Sequence, residues 1–181
     1  MNDAAIRPID ATEAAAHLDA LADLLCDIVA HGASVNFLAG LTRDRARRFW
    51  EGQLPGIAAG AAHLFVAEQE GRLVGTVLLF LAQQPNAPHR AEIGKMLVHS
   101  ALRRQGLGRR LLTAAEDAAC ARGRTLLMLD TESDSAGERL YRACGWQEMG
   151  RVPDHSYRPQ GVLAETIFFY KALAPHRPSP G

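Results

Sequence analysis

The stretch ALRRQGLGRRLLTAAEDAA, residues 101–119, places two glycines, Gly106 and Gly108, at the start of a helical pattern with arginines on both sides. Glycine is about 1 kcal/mol worse than alanine inside a helix, so two in a first turn need a reason. The first N–H groups of a helix have no partner within it. With the helix dipole they make an anion site, best filled by phosphate. Glycines here remove the Cβ atoms that would hold a bulky anion away. Arg103, Arg104 and Arg109 add positive charge around the same point. The chemistry implied is the cradling of a pyrophosphate; the bland alternative is a helix start dressed with solvated arginines.

Two common phosphate loops do not fit. The triphosphate loop needs a lysine after its last glycine, and none follows here. The dinucleotide fingerprint would put its third glycine at position 111, which is Leu111. Outside the loop, Glu92 opens the strand that feeds it, and Asp130 ends the apolar run LLML. A carboxylate beside such a run is costly without a partner.

The elements that must position these groups follow from periodicity. AIRPID reads as a strand, and a helix capped by Thr12 runs to Ala30 on Leu18, Leu21, Leu25 and Ile28. HGASVNF is a loop, and a second helix spans Thr42 to about Ala59. Two apolar runs joined at Glu70-Gly71 predict a hairpin, and QQPNAPHR is a loop. AEIGKMLVHS is the strand leading into the glycines. The helix from Gly106 ends near Arg122, with Gly123 as its C′ residue. TLLMLDTE is a buried strand, SAGERLYRACGW a short helix ending at Gly145, and WQEMGRVP with LAETIFFYKAL a last antiparallel pair. The order β-α-α-β-β-β-α-β-α-β-β predicts an α/β protein of α+β type, excluding all-α and all-β classes.

The pattern Arg103-x-x-Gly106-x-Gly108 at a strand–helix junction, with LYRACGW over 140–146, resembles the GNAT superfamily of N-acetyltransferases. That resemblance implies a mixed, mostly antiparallel twisted sheet of about seven strands with about four helices. Its fourth and fifth strands would splay around acetyl-CoA. Cofactor contacts would come from Met96, Leu97 and Val98 along the pantetheine arm and from Arg103, Arg104, Gln105, Gly106, Leu107, Gly108 and Arg109 at the pyrophosphate. Tyr141 occupies the position of the family tyrosine that hydrogen-bonds the departing sulfur. Glu92 and Asp130 would face one cleft as candidate general bases, directly or through water, or as binders of the substrate ammonium. HGASVNF, PNAPHRAEIGKMLV, LLMLDTES and YRACGWQEMGRVPDHS further resemble the tabtoxin-resistance branch, which acetylates the amine of a β-lactam amino acid. The substrate pocket would draw on Ser34, Asn36 and Phe37 (with His31 beside them) and on His155, Tyr157 and Arg158. Arg158 or a backbone nest would suit a substrate carboxylate. The chain departs from the family pattern at Asp134, where asparagine is common, and at Gly137, where alanine is usual.

The 181 residues predict one domain over 1–173 and a proline-rich flexible tail over 174–181. With 20 basic and 20 acidic residues, nothing global favours nucleic acid or an anionic membrane. RRQGLGRR also lacks interleaved aromatics. Cys26, Cys120 and Cys144 read as reduced thiols, and the N-terminus lacks a signal-peptide pattern, which points to the cytoplasm. No metal-ligand spacing is present. The expected function is acetyl-CoA-dependent acetylation of a small-molecule amine, amino acid-like or a toxin or antibiotic, by direct attack in a ternary complex. The alternatives are a protein or peptide N-acetyltransferase and a non-catalytic acyl-CoA sensor. A monomer or homodimer is expected.

Overall fold

In a computed structural model of the chain, residues 4–174 are described. They form strands β1 (Ala5–Ile9), β2 (Ala62–Gln69), β3 (Arg72–Leu81), β4 (Arg90–Val98), β5 (Leu126–Glu132), β6 (Gln147–Tyr157) and β7 (Leu163–Ala172). The helices are α1 (Ala11–Ala16), α2 (Leu18–Ala30), α3 (Arg43–Glu51), α4 (Leu54–Ala58), α5 (Leu107–Ala121) and α6 (Ala136–Ala143). The strands make one sheet in the order β1-β2-β3-β4-β5-β7-β6. Every neighbour is antiparallel except β4 and β5. This is the mixed α/β architecture that the sequence predicts. The tail expected over 174–181 lies, apart from Ala174, outside the described residues.

Six helices appear where about four were expected, because each of the first two predicted helices is broken. The first breaks at His17, which ends α1 and opens α2. Its cap is Asp10, not Thr12: the Asp10 carboxylate accepts from the Glu13 N–H at 2.8 Å. The second breaks before Pro55, which has no N–H to continue α3 and would crowd the carbonyl four residues back. Thr42 does cap α3, accepting from the Arg45 N–H at 3.3 Å. The β2–β3 hairpin turns at Glu70 and Gly71, both with positive φ, as a two-residue turn between twisted strands requires.

Apolar side chains pack on both faces of the sheet. On one face, α5 presses Leu111, Leu112 and Ala115 against β2, β3 and β4. On the other, α2 and α3 cover Leu64, Val66 and Leu78 through Leu21, Leu25 and Trp50. This second layer fixes the loop between α2 and α3, which forms one wall of the site. No helix among the described residues is long and apolar enough to cross a membrane.

Candidate active site

The site begins where the sheet opens. β4 and β5 pair only from Arg90–Glu92 to Leu126–Met128. Beyond that the strands diverge, leaving the inner edge of β4 without a neighbour while β5 stays paired with β7. At the same point the β3–β4 register slips between Thr76 and Leu78, and Lys95 takes a positive φ of 47°. This is a β-bulge, which bends a strand and re-aims its side chains. The Thr76 hydroxyl secures it by donating to the Lys95 carbonyl at 3.0 Å.

Past β4, a short turn over Ser100–Leu102 leads to the glycines. The Ser100 N–H and hydroxyl both donate to the Asp27 carboxylate at 2.8 Å, tying this turn to α2. Arg104 and Gly106 then take positive φ values of 62° and 79°, and α5 starts at Leu107 without a side-chain cap. The first helical N–H with an i−4 partner is that of Arg110, on the Gly106 carbonyl. The N–H groups of Leu107, Gly108 and Arg109 precede it and so lack an intrahelical acceptor. The two glycines serve different purposes. Gly106 supplies the left-handed backbone, and a Cβ there would meet open space. A Cβ on Gly108 would sit 3.2 Å from Leu140, so Gly108 lets α6 approach α5.

These parts surround a cleft of about 840 Å³, towards the upper end of the roughly 300–1,000 Å³ usual for small-molecule sites. Arg103, Arg104, Gly106, Leu107, Gly108 and Arg109 line one end of it; Gln105 does not. Met96 and Val98 line the middle, whereas Leu97, one residue out of phase, is fully buried in the opposite core. Glu92, Asp130 and Tyr141 share the same cleft. Bare N–H groups beside a left-handed glycine, ringed by arginines, fit a pyrophosphate, and the unpaired edge of β4 fits an extended pantetheine arm.

The electrostatics separate the three candidate catalytic groups. Glu92 opens onto the cleft but is enclosed on enough sides that desolvation, and then the Asp130 charge, push its pKa up. Tyr141 is buried, its ring set against Trp146 and Phe169 at centroid distances of 6.0 and 6.2 Å. Burial, and secondarily Asp130, hold its phenol well above the usual value and so neutral.

Of the expected acceptor residues, Ser34, Asn36 and His155 line the cleft, together with His31. Phe37, Tyr157 and Arg158 do not. Phe37 packs edge-on against Phe49 at 5.4 Å, and Tyr157 faces solvent. Arg158 donates to Glu132 at 2.7 Å. Asp134, with a positive φ of 60°, points its N–H at Glu138 at 2.6 Å and does not line the cleft. Lys95 was absent from the predicted site, yet it lies in the wall. Nothing in the composition of AEIGKMLV signals the bulge that turns it inward.

Gly137 also has a local cause. A Cβ there would lie 2.7 Å from the Thr131 hydroxyl. Alanine would gain about 1 kcal/mol in helix propensity, but overpacking typically costs about 1–3 kcal/mol. Gly137→Ala should therefore lower the melting temperature, and Thr131→Ala in the same chain should turn that loss into a gain. A thermal-melt cycle of the four proteins checks this.

Residues 28–146 match the acetyltransferase (GNAT) family. The chain belongs to that family, and it is an N-acetyltransferase that uses acetyl-CoA. Solved structures share the fold over nearly the whole length. The yncA protein of Salmonella typhimurium, determined with acetyl-CoA as its cofactor, is 22% identical with a TM-score of 0.74, covering 98% of each chain. The ribosomal-protein-alanine N-acetyltransferase of Brucella melitensis is 24% identical with a TM-score of 0.71, covering 93% of this chain and 99% of its own. An N-acetyltransferase of Staphylococcus aureus is 19% identical with a TM-score of 0.76, covering 94% and 98%.

Proposed function

We propose that the protein acetylates the primary amine of a small molecule, by direct attack within a ternary complex. The observation that carries this reading is a backbone bridge between the two loops on the acceptor side of the cleft. The Ala39 N–H donates to the Pro159 carbonyl at 2.8 Å, so the loop after α2 is tied to the β6–β7 turn. A protein acceptor would need an open groove between those two loops.

In this account acetyl-CoA supplies an activated acetyl thioester. Arg103, Arg104, Arg109 and the first N–H groups of α5 hold its pyrophosphate, and the edge of β4 receives the arm. Glu92, raised in pKa, takes the proton from the acceptor ammonium, and Asp130 holds that ammonium in place. Tyr141 donates a hydrogen bond to the departing sulfur. Because the phenol is held above its ordinary value, it is a weaker acid than an ordinary thiol near pKa 8.5. Its contribution is thus a hydrogen bond that strengthens as thiolate charge develops, rather than complete proton transfer.

The similarity of HGASVNF and LLMLDTES to the tabtoxin-resistance branch supports an amino acid-like or toxin acceptor. The Brucella neighbour, which acts on a ribosomal-protein alanine, supports a peptide acceptor instead. A second cleft of about 420 Å³ shares Phe80 and Glu92 with the first and would give a peptide chain an exit. Thiol release from acetyl-CoA decides between them, across amino acids, β-lactam amino acids, polyamines, aminoglycosides and short peptides. Turnover confined to small amines is expected; turnover on peptides alone would transfer the assignment to protein modification.

The raised pKa of Glu92 predicts a trade-off. A carboxyl whose folded pKa exceeds its unfolded one opposes folding at pH values above both, and the penalty fades as pH falls from the folded value to the unfolded one. Glu92→Gln should therefore melt higher than the parent at pH 7, with the difference vanishing near pH 4, while acetylation slows. A melting temperature unchanged at pH 7 would contradict the desolvation assigned to this group.

A further inference from the structure

Lys95 takes no part in the transfer chemistry above, yet its ammonium stands in the wall of the cleft. Its Nζ donates one long hydrogen bond to the Val35 carbonyl at 3.4 Å and lies 5.2 Å from the centre of the Phe49 ring. An ammonium has three N–H donors. One weak bond and a ring face leave two of them without an acceptor among the described residues, in a setting where a desolvated charge needs an anion. Glu92 and Asp130 act on Lys95 through space, but no carboxylate forms an ion pair with it among the described residues. Arg158, the cation expected to meet a substrate carboxylate, is engaged by Glu132 and stands outside the cleft wall. Arg103, Arg104 and Arg109 lie at the opposite, pyrophosphate end.

We propose that Lys95 binds a carboxylate on the acceptor, so that the acceptor is an amino acid-like zwitterion. The proposal rests on the small-amine reading and narrows it. The charge map is complementary: Glu92 and Asp130, from two strands, face the ammonium, and Lys95, set back by the bulge, faces the carboxylate. A polyamine would place positive charge against Lys95, and an internal peptide unit would offer it no anion.

The test uses matched triplets: an amino acid, its carboxamide and its decarboxylated amine, on small, branched and polar side chains. Binding to the CoA-loaded protein is read by calorimetry and turnover by thiol release. In the wild type the best amino acid should exceed its two analogues by about 10-fold or more, as expected for a charge-assisted hydrogen bond. In Lys95→Met that gap should close through loss on the amino acid alone, and Lys95→Arg should restore part of it. Equal loss on all three members would overturn the proposal, because a lysine that only steadies Val35 would give that result. So would a wild type that treats the triplet alike, or one that binds no amino acid in the set. Faster turnover of the decarboxylated amines would remove this inference and leave the small-amine reading intact; turnover of peptides alone would remove both.

Discussion

Tyr141→Phe should lower kcat by about 10²- to 10³-fold, within the range general acid–base and hydrogen-bonding groups contribute, while affinity for CoA stays nearly unchanged. The separation follows from how the side chain is held. Its ring is buried between Trp146 and Phe169, contacts that phenylalanine keeps. Tyr141 lines the cleft with Asp130, and phenylalanine removes only the hydroxyl, which contributes where thiolate charge develops, not where the nucleotide binds. Steady-state thiol release, with CoA affinity from calorimetry, checks both halves. Equal turnover in the variant would defeat the role given to Tyr141, and a parallel loss of CoA affinity would make the residue a packing element.

Trp50→Ala should destabilise the protein by about 3–5 kcal/mol, the usual cost of deleting a buried aromatic. The melting temperature should then fall on the order of 10 °C. Trp50 is 1% exposed, and its indole N–H donates to the Leu21 carbonyl at 3.0 Å, joining α3 to α2. Its ring meets Phe49 at 5.2 Å, and Phe49 in turn carries Phe37 and the Lys95 ammonium. The residue therefore also supports the loop that walls the acceptor chamber. Trp50→Phe, which keeps most of the ring but removes the indole hydrogen bond to a Leu21 carbonyl that α2 still satisfies, should cost about 0.5–1.5 kcal/mol for that bond. Denaturant melts of both variants distinguish lost volume from a lost hydrogen bond.

What could be read from residues alone divides along physical lines. Features written in local chemistry were legible: the Glu70-Gly71 hairpin, the Gly123 and Gly145 helix ends, and the glycine start of α5. Each depends on a residue type that its backbone conformation demands. Helix continuity was less so. The break at His17 and the Asp10 cap depend on how α1 meets β1 and α4, because Thr12 is as good a capping residue by type. The acceptor residues were the least legible. Phe37 and Arg158 sit in the expected loops and Tyr157 ends β6, but they turn to the core, to Glu132 and to solvent, choices made by tertiary neighbours. Lys95 was hidden because the bulge that aims it requires a positive φ from a residue that rarely adopts one.

Direct transfer from a thioester held at the start of α5 to an amine in the adjoining chamber is decided by two-substrate initial rates. They would be run with the best acceptor found, alongside the intact mass of protein incubated with acetyl-CoA alone. The double-reciprocal lines should intersect, and the protein mass should not change. Parallel lines, together with an acetylated protein that passes its acetyl group to the amine, would contradict direct transfer.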